Sequence, residues 1–167
     1  MNGTKTKTRT PTTTNSSTEE ARDAEVPRIA GELNCKLVRS KKKGVCWVSS
    51  DGARRLVCRG SSRTDGPSGS SHYYFEFTPR DRAFLLEAGQ GWVALVCADS
   101  GRAFLVDGVK FRKWLPFFTT TPPAPVNEDE PVRWHVHLND YGDPVELMKA
   151  GGGPLPVNLV RYLVPPA

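Results

Sequence analysis

The sequence predicts an α/β (α+β) fold: a mixed β-sheet with flanking helices over residues 28–115, extended by a C-terminal β unit over 131–167. Three observations predict it. The run Trp92–Ala98 (WVALVCA) is almost wholly apolar, as expected of a central strand covered on both faces. Thr78-Pro79 followed by Asp81 reads as a helix N-terminus with a near capping box. Asp51-Gly52 stands between two strand-like segments as a two-residue hairpin signal.

Residues 1–27 are rich in Thr, Ser, Asn and charge and carry no apolar period, so they read as a disordered Thr-rich tail. The charges of the tail cancel, with Lys5, Lys7, Arg9 and Arg22 against Glu19, Glu20, Asp23 and Glu25. Pro27 suits the first turn of a helix. Ile29, Leu33 and Leu37 then form one apolar stripe, and Lys41–Lys43 with Gly44 end it. Val45–Ser49 and Arg54–Gly60 are the arms of the hairpin, with Arg55 and Arg59 on one face and Leu56 and Cys58 on the other. A Ser/Gly-rich loop covers Gly60–Ser71, and His72–Phe77 is a third strand.

The helix capped by Thr78 runs to Ala88, with Gly89 as its stop. Ser100-Gly101 turns the apolar strand into Ala103–Val106. Asp107 caps a last helix bearing Phe111, Trp114 and Leu115, which Pro116 stops. Residues 116–130 form a Thr/Pro/acidic linker. In the C-terminal unit, Arg133–Leu138 pairs with Val145–Lys149, and Asn158–Val164 is a short apolar end.

No run of 18 apolar residues is present, so no membrane span is expected. The N-terminus lacks an apolar secretory core. The four cysteines, Cys35, Cys46, Cys58 and Cys97, form no CxxC and read as buried free thiols. A reducing, cytoplasmic setting is the expectation.

Charge is the main functional signal. Nine basic residues lie between Lys36 and Arg63 against one acid, Asp51, although the whole chain carries only +5. Such a local surplus points to a polyanion. Lys41, Lys42, Lys43, Arg54, Arg55, Arg59 and Arg63 are the expected phosphate contacts, since guanidinium forks grip phosphate in pairs. Trp47, Tyr73 and Tyr74 are either core residues or stacking partners for bases.

The order helix, strand, hairpin strand, strand, helix, apolar strand is similar to the restriction-endonuclease-like nuclease fold, the PD-(D/E)XK superfamily. Arg55–Ser62 (RLVCRGSS) resembles the third-strand motif of that family, but Cys58 stands where the metal-binding acid would be and Gly60 where the Lys would be. Glu32 matches the helix-borne Glu. The resemblance implies a nuclease-like fold without its metal-binding acids. Residues 36–164 also resemble a group of small uncharacterised bacterial proteins, some of them within larger restriction-type polypeptides.

His135-Val136-His137 is the only HxH pattern, and on a strand both imidazoles face one side. Asp140, Asp143 or His72 would complete a metal set, or both histidines simply lie exposed on an edge strand. Ser49, Ser50 and Ser61 lack the context of a hydrolase nucleophile. The leading expectation is a non-catalytic nucleic-acid-binding module without cofactor, DNA being the expected ligand. The alternatives are a Mg²⁺-dependent nuclease with a migrated site among Glu32, Asp51, Glu76, His135 and His137, or a module docking an acidic protein.

Overall fold

A computed structural model describes residues 14–41, 44–65, 70–87, 89–121 and 132–166, with side chains from Ser17 onward. It is a mixed α+β fold built from two sheets and three α-helices. Lys42 and Lys43 fall outside the described residues, as do the first thirteen residues of the predicted tail and most of the predicted linker.

Sheet A has the order β1-β2-β3-β6-β7: β1 Leu37–Arg39, β2 Cys46–Ser49, β3 Arg54–Ser61, β6 Gln90–Cys97 and β7 Arg102–Asp107. The hairpin forms where predicted. Gly52 takes φ 72°, and the Asp51 carboxylate accepts from the Ser49 hydroxyl and from the Ala53 N–H at 3.0 Å. β3 and β6 are parallel, with Leu56 opposite Trp92, so the apolar strand lies inside the sheet as its composition requires.

Sheet B has the order β11-β10-β9-β5-β4: β4 Thr64–Asp65, β5 Ser71–Phe77, β9 Arg133–Asp140, β10 Val145–Met148 and β11 Pro154–Asn158. A short strand, β8 Thr119–Thr121, pairs with the N-terminal half of β9, while β10 pairs with its C-terminal half. This corrects the predicted single sheet with an appended hairpin. β5 leaves the first sheet and pairs with β9 through seven positions, from Ser71↔Asp140 to Phe77↔Trp134. The physical reason is the shared alternation: Tyr73, Phe75 and Phe77 of β5 and Val136 and Leu138 of β9 all turn inward against Val57, Val93, Leu95, Phe104 and Val106 of sheet A. A core of this area needs an apolar face from both segments.

The other face of sheet A is covered by α1, Thr14–Glu32, which begins well before the predicted start at Pro27 and carries that proline inside. Val26, Ile29 and Leu33 bury against Trp47, Leu56, Cys58, Ala94 and Val96, and the buried Arg22 lies 5.5 Å from the Trp47 ring centroid. Asn34, with φ 47°, ends the helix ahead of the predicted stop, and Leu37 belongs to β1. α2, Pro79–Leu86, has the full capping box of Thr78 and Asp81. α3, Gly108–Trp114, is capped by Asp107 through Val109 N–H and Lys110 N–H.

The chain ends are tied to α1. Arg28 donates to the carbonyls of Gly101, Val164 and Pro165 at 2.8–3.0 Å. All four cysteines are free, with Cys58 and Cys97 fully buried. Among the described residues no helix is long and apolar enough to cross a membrane.

Candidate basic groove and histidine face

Strand alternation turns Arg55, Val57 and Arg59 away from α1, toward the side where α2 lies. Each arginine meets an acid there. Arg55 pairs with Glu87, donates to the Phe84 carbonyl at 3.4 Å, and sits 4.7 Å over the Phe84 ring. Arg59 donates to the buried Asp81 carboxylate at 2.5 Å. In both arginines the Nε–H is buried and has no hydrogen-bond partner among the described residues.

These side chains line a groove of about 750 Å³ between β2–β3 and α2. Lys41 enters it from the β1–β2 connection and Arg80 from the first turn of α2, so four cations face two acids over a floor that includes Val45, Val48 and Phe84. Cys46 also lines it, and burial, reinforced by the Asp81 charge, pushes its thiol up to about 11. The sequence reading missed Arg80, because it lies outside the basic strip and joins it only through the fold.

The strip itself is divided. Arg39 pairs with Asp23 of α1. Arg54 donates its Nε–H to Gln90 at 3.1 Å, and Arg63 is half exposed, 3.9 Å from Asp65. Asp23, Asp81 and Glu87 all come from outside the strip, so its surplus is smaller in space than in sequence.

A second cavity, of about 680 Å³, adjoins the groove and shares Val45 and Arg59 with it. Its wall includes Gly60, Ser61, Arg22 and Glu76. At Gly60 an added Cβ would lie 3.0 Å from Arg22 Cβ and 3.1 Å from the Thr18 carbonyl oxygen. α1 therefore presses directly on β3 at this point. Ser61 Oγ accepts from the Tyr74 N–H at 3.0 Å, which joins the end of β3 to β5.

All three histidines of the chain lie on the outer face of sheet B. β9 is an inner strand, so the predicted edge position is corrected; Val136 and Leu138 on its other face are buried. His72 stands opposite Asn139, Tyr74 opposite His137, and Glu76 opposite His135. His72 Nδ1 is 2.8 Å from Asn139 Oδ1, and its Nε2 is 3.1 Å from His137 Nδ1. His135 is held elsewhere, by the Tyr74 hydroxyl at Nδ1 and the Thr121 hydroxyl at Nε2, each at 2.5 Å. Burial, with His72 and His135 alongside, holds the His137 imidazole below the usual histidine range. Tyr74 is the exposed aromatic, while Trp47 and Tyr73 are core.

The five nuclease candidates do not assemble. Glu76, His135 and His137 share the outer face of sheet B, whereas Glu32 is exposed on the last turn of α1, beyond sheet A. Asp51 is consumed by its turn, where the Ser49 hydroxyl and the Ala53 N–H hold its carboxyl below the usual range. Asp140 is engaged by Arg102 at 2.5 and 2.6 Å, and Asp143 accepts from Asn158 at 2.8 Å. Among the described residues no three His, Cys, Asp or Glu side chains converge as a metal set.

No protein-family model, curated protein or solved structure matches the chain.

Proposed function

We propose that the protein is a nucleic-acid-binding module that holds phosphates in the groove between β2–β3 and α2. The observation that carries this reading is the meeting of Lys41, Arg55, Arg59 and Arg80 around one groove, from three separate elements. Glu87 and Asp81 position the two arginines, and Lys41 and Arg80 are the exposed cations of the groove. A phosphodiester supplies acceptor oxygens of the right kind. The scatter of Glu32, Asp51 and Glu76 supports binding without cleavage. A nuclease-like ancestry is part of the same proposal, supported by the RLVCRGSS segment lying on β3, beside its parallel partner β6.

The test is fluorescence anisotropy of labelled DNA and RNA across a salt series, with and without Mg²⁺. Affinity should fall steeply with salt, and Lys41→Ala and Arg80→Ala should each reduce the log–log slope by about 0.7–0.9. Binding indifferent to salt, or unchanged in both variants, removes the groove from the reading. Strand cleavage that needs Mg²⁺ would instead restore the nuclease alternative.

A second reading, docking of an acidic protein, is favoured by one feature. β1 is an edge strand of sheet A, and its Val38 is 54% exposed, two residues from Ser40 at the groove's rim. An exposed apolar side chain on an edge strand suits a protein partner. Loss of partner capture in Val38→Glu, with nucleic-acid binding intact, would identify that use.

A further inference from the structure

The outer face of sheet B differs in character from the groove. Its charged residues near the histidines are Glu76 on β5, Arg133 on β9 and Glu146 on β10, so acids outnumber the base. Arg133 also spends its charge on Glu76, at 3.4 Å. This balance of charge favours a cation over a phosphate.

We propose that His72 and His137 form a two-imidazole clamp for a divalent late transition ion of the Zn²⁺ or Ni²⁺ kind. The two facing nitrogens, His72 Nε2 and His137 Nδ1, are 3.1 Å apart. An ion about 2.0–2.1 Å from each nitrogen, the usual metal–imidazole length, would subtend roughly 100° at that separation, between the square-planar and tetrahedral angles. The two rings would have to rotate out of their mutual hydrogen bond to bring both lone pairs onto the ion.

The surroundings have the form such a ligand needs. His72 Nδ1–H donates to Oδ1 of Asn139, which is buried, and this leaves Nε2 as the lone-pair nitrogen facing His137. A ligating imidazole is normally oriented by a hydrogen bond of this kind from its other nitrogen. On binding, the His137 proton moves from Nδ1 to Nε2, which frees Nδ1 as the second donor. Met148 stands directly opposite His137 on β10, a thioether at the margin of the site. The protein supplies two donors, and water fills the remaining positions. His135 takes no part, because both its nitrogens are bound to hydroxyls.

The experiment is calorimetric titration of the full chain, stripped with chelator, with Zn²⁺ and separately with Ni²⁺. One equivalent should bind. His72→Gln and His137→Gln should each weaken it at least tenfold, Asn139→Leu should weaken it by tenfold or more through the lost orientation, and His135→Gln should leave it unchanged. Absence of binding, equal binding in every variant, or a loss in His135→Gln as large as in the others overturns the clamp. Should a variant fail to fold, ring-nitrogen NMR of the wild type decides: Zn²⁺ must move His72 Nε2 and His137 Nδ1 while leaving His135 in place. A shift confined to His135, or none, is equally fatal. None of these readouts involves nucleic acid, so the clamp and the groove stand or fall separately.

Discussion

Arg59 and Asp81 join β3 to the first turn of α2 through a single carboxylate oxygen. Asp81 Oδ2 accepts from the Arg59 guanidinium at 2.5 Å, from the Thr78 N–H at 2.7 Å and from the Thr78 hydroxyl at 2.9 Å. The Asp81 side chain is only 4% exposed. One residue thus caps a helix and orients a cation of the groove.

Asp81→Ala should therefore cost more than a surface ion pair. Loss of an N-cap partner and of a mostly buried counter-charge together predict a decrease of about 2–4 kcal/mol in urea unfolding. Arg80→Ala, at the adjacent but exposed residue, should leave stability within about 0.5 kcal/mol of wild type. A similar loss in both variants would contradict the separate roles of these neighbours.

The thiols should react in an order set by burial. Burial pushes Cys58 up to about 12 and Cys46 to about 11, and it raises Cys97 as well. At pH 8 an aromatic disulfide reagent should label the half-exposed Cys35 first, Cys46 slowly, and Cys58 and Cys97 only after unfolding. Equal native rates at Cys58 and Cys35 would refute this.

The same shifts set a sign for alkaline stability. Folding holds protons on Cys58 and Cys97 that the unfolded chain, with thiols near 9, gives up first. Their contribution is complete below pH 9 and is lost as pH rises toward 12. A Cys58→Ala/Cys97→Ala double variant should show a shallower fall of melting temperature above pH 9 than the wild type, whatever its starting stability.

Two glycines should respond oppositely to alanine. At Gly108 a Cβ would meet the Gly91 carbonyl oxygen at 2.8 Å and its carbon at 3.0 Å, backbone atoms that can yield only if α3 leaves β6. Gly108→Ala should lose about 1–3 kcal/mol. Gly31, inside α1 with nothing within 4 Å, should gain about 0.4–1 kcal/mol as alanine. Chemical denaturation of the two variants side by side checks both signs.

Local chemistry made much of this fold legible. The Asp51-Gly52 turn, the Thr78 capping box, the Asp107 cap and the WVALVCA strand need only neighbours in sequence, and each appears where the sequence puts it. The partners of β5 did not follow, because pairing Tyr74 with His137 is a matter of long-range burial that alternation alone leaves open. The part of α1 before Pro27 was missed for a related reason: Arg22 and Asp23 read as solvated charge until Trp47 and Arg39 are brought beside them. In the groove, Arg55 and Arg59 were visible on one strand face, but the acids that meet them and the added Arg80 belong to a helix some twenty residues away.

The closeness of α1 to Gly60 bears on what this scaffold can become. Even a methyl group at Gly60 would lie 3.0 Å from Arg22 Cβ and 3.1 Å from the Thr18 carbonyl oxygen, so the facing helix would have to give by a few tenths of an ångström. A longer side chain at this position would have to displace the helix further from the strand. The helix that buries Val26, Ile29 and Leu33 thus confines this stretch of the third strand to a residue without a side chain unless the helix moves.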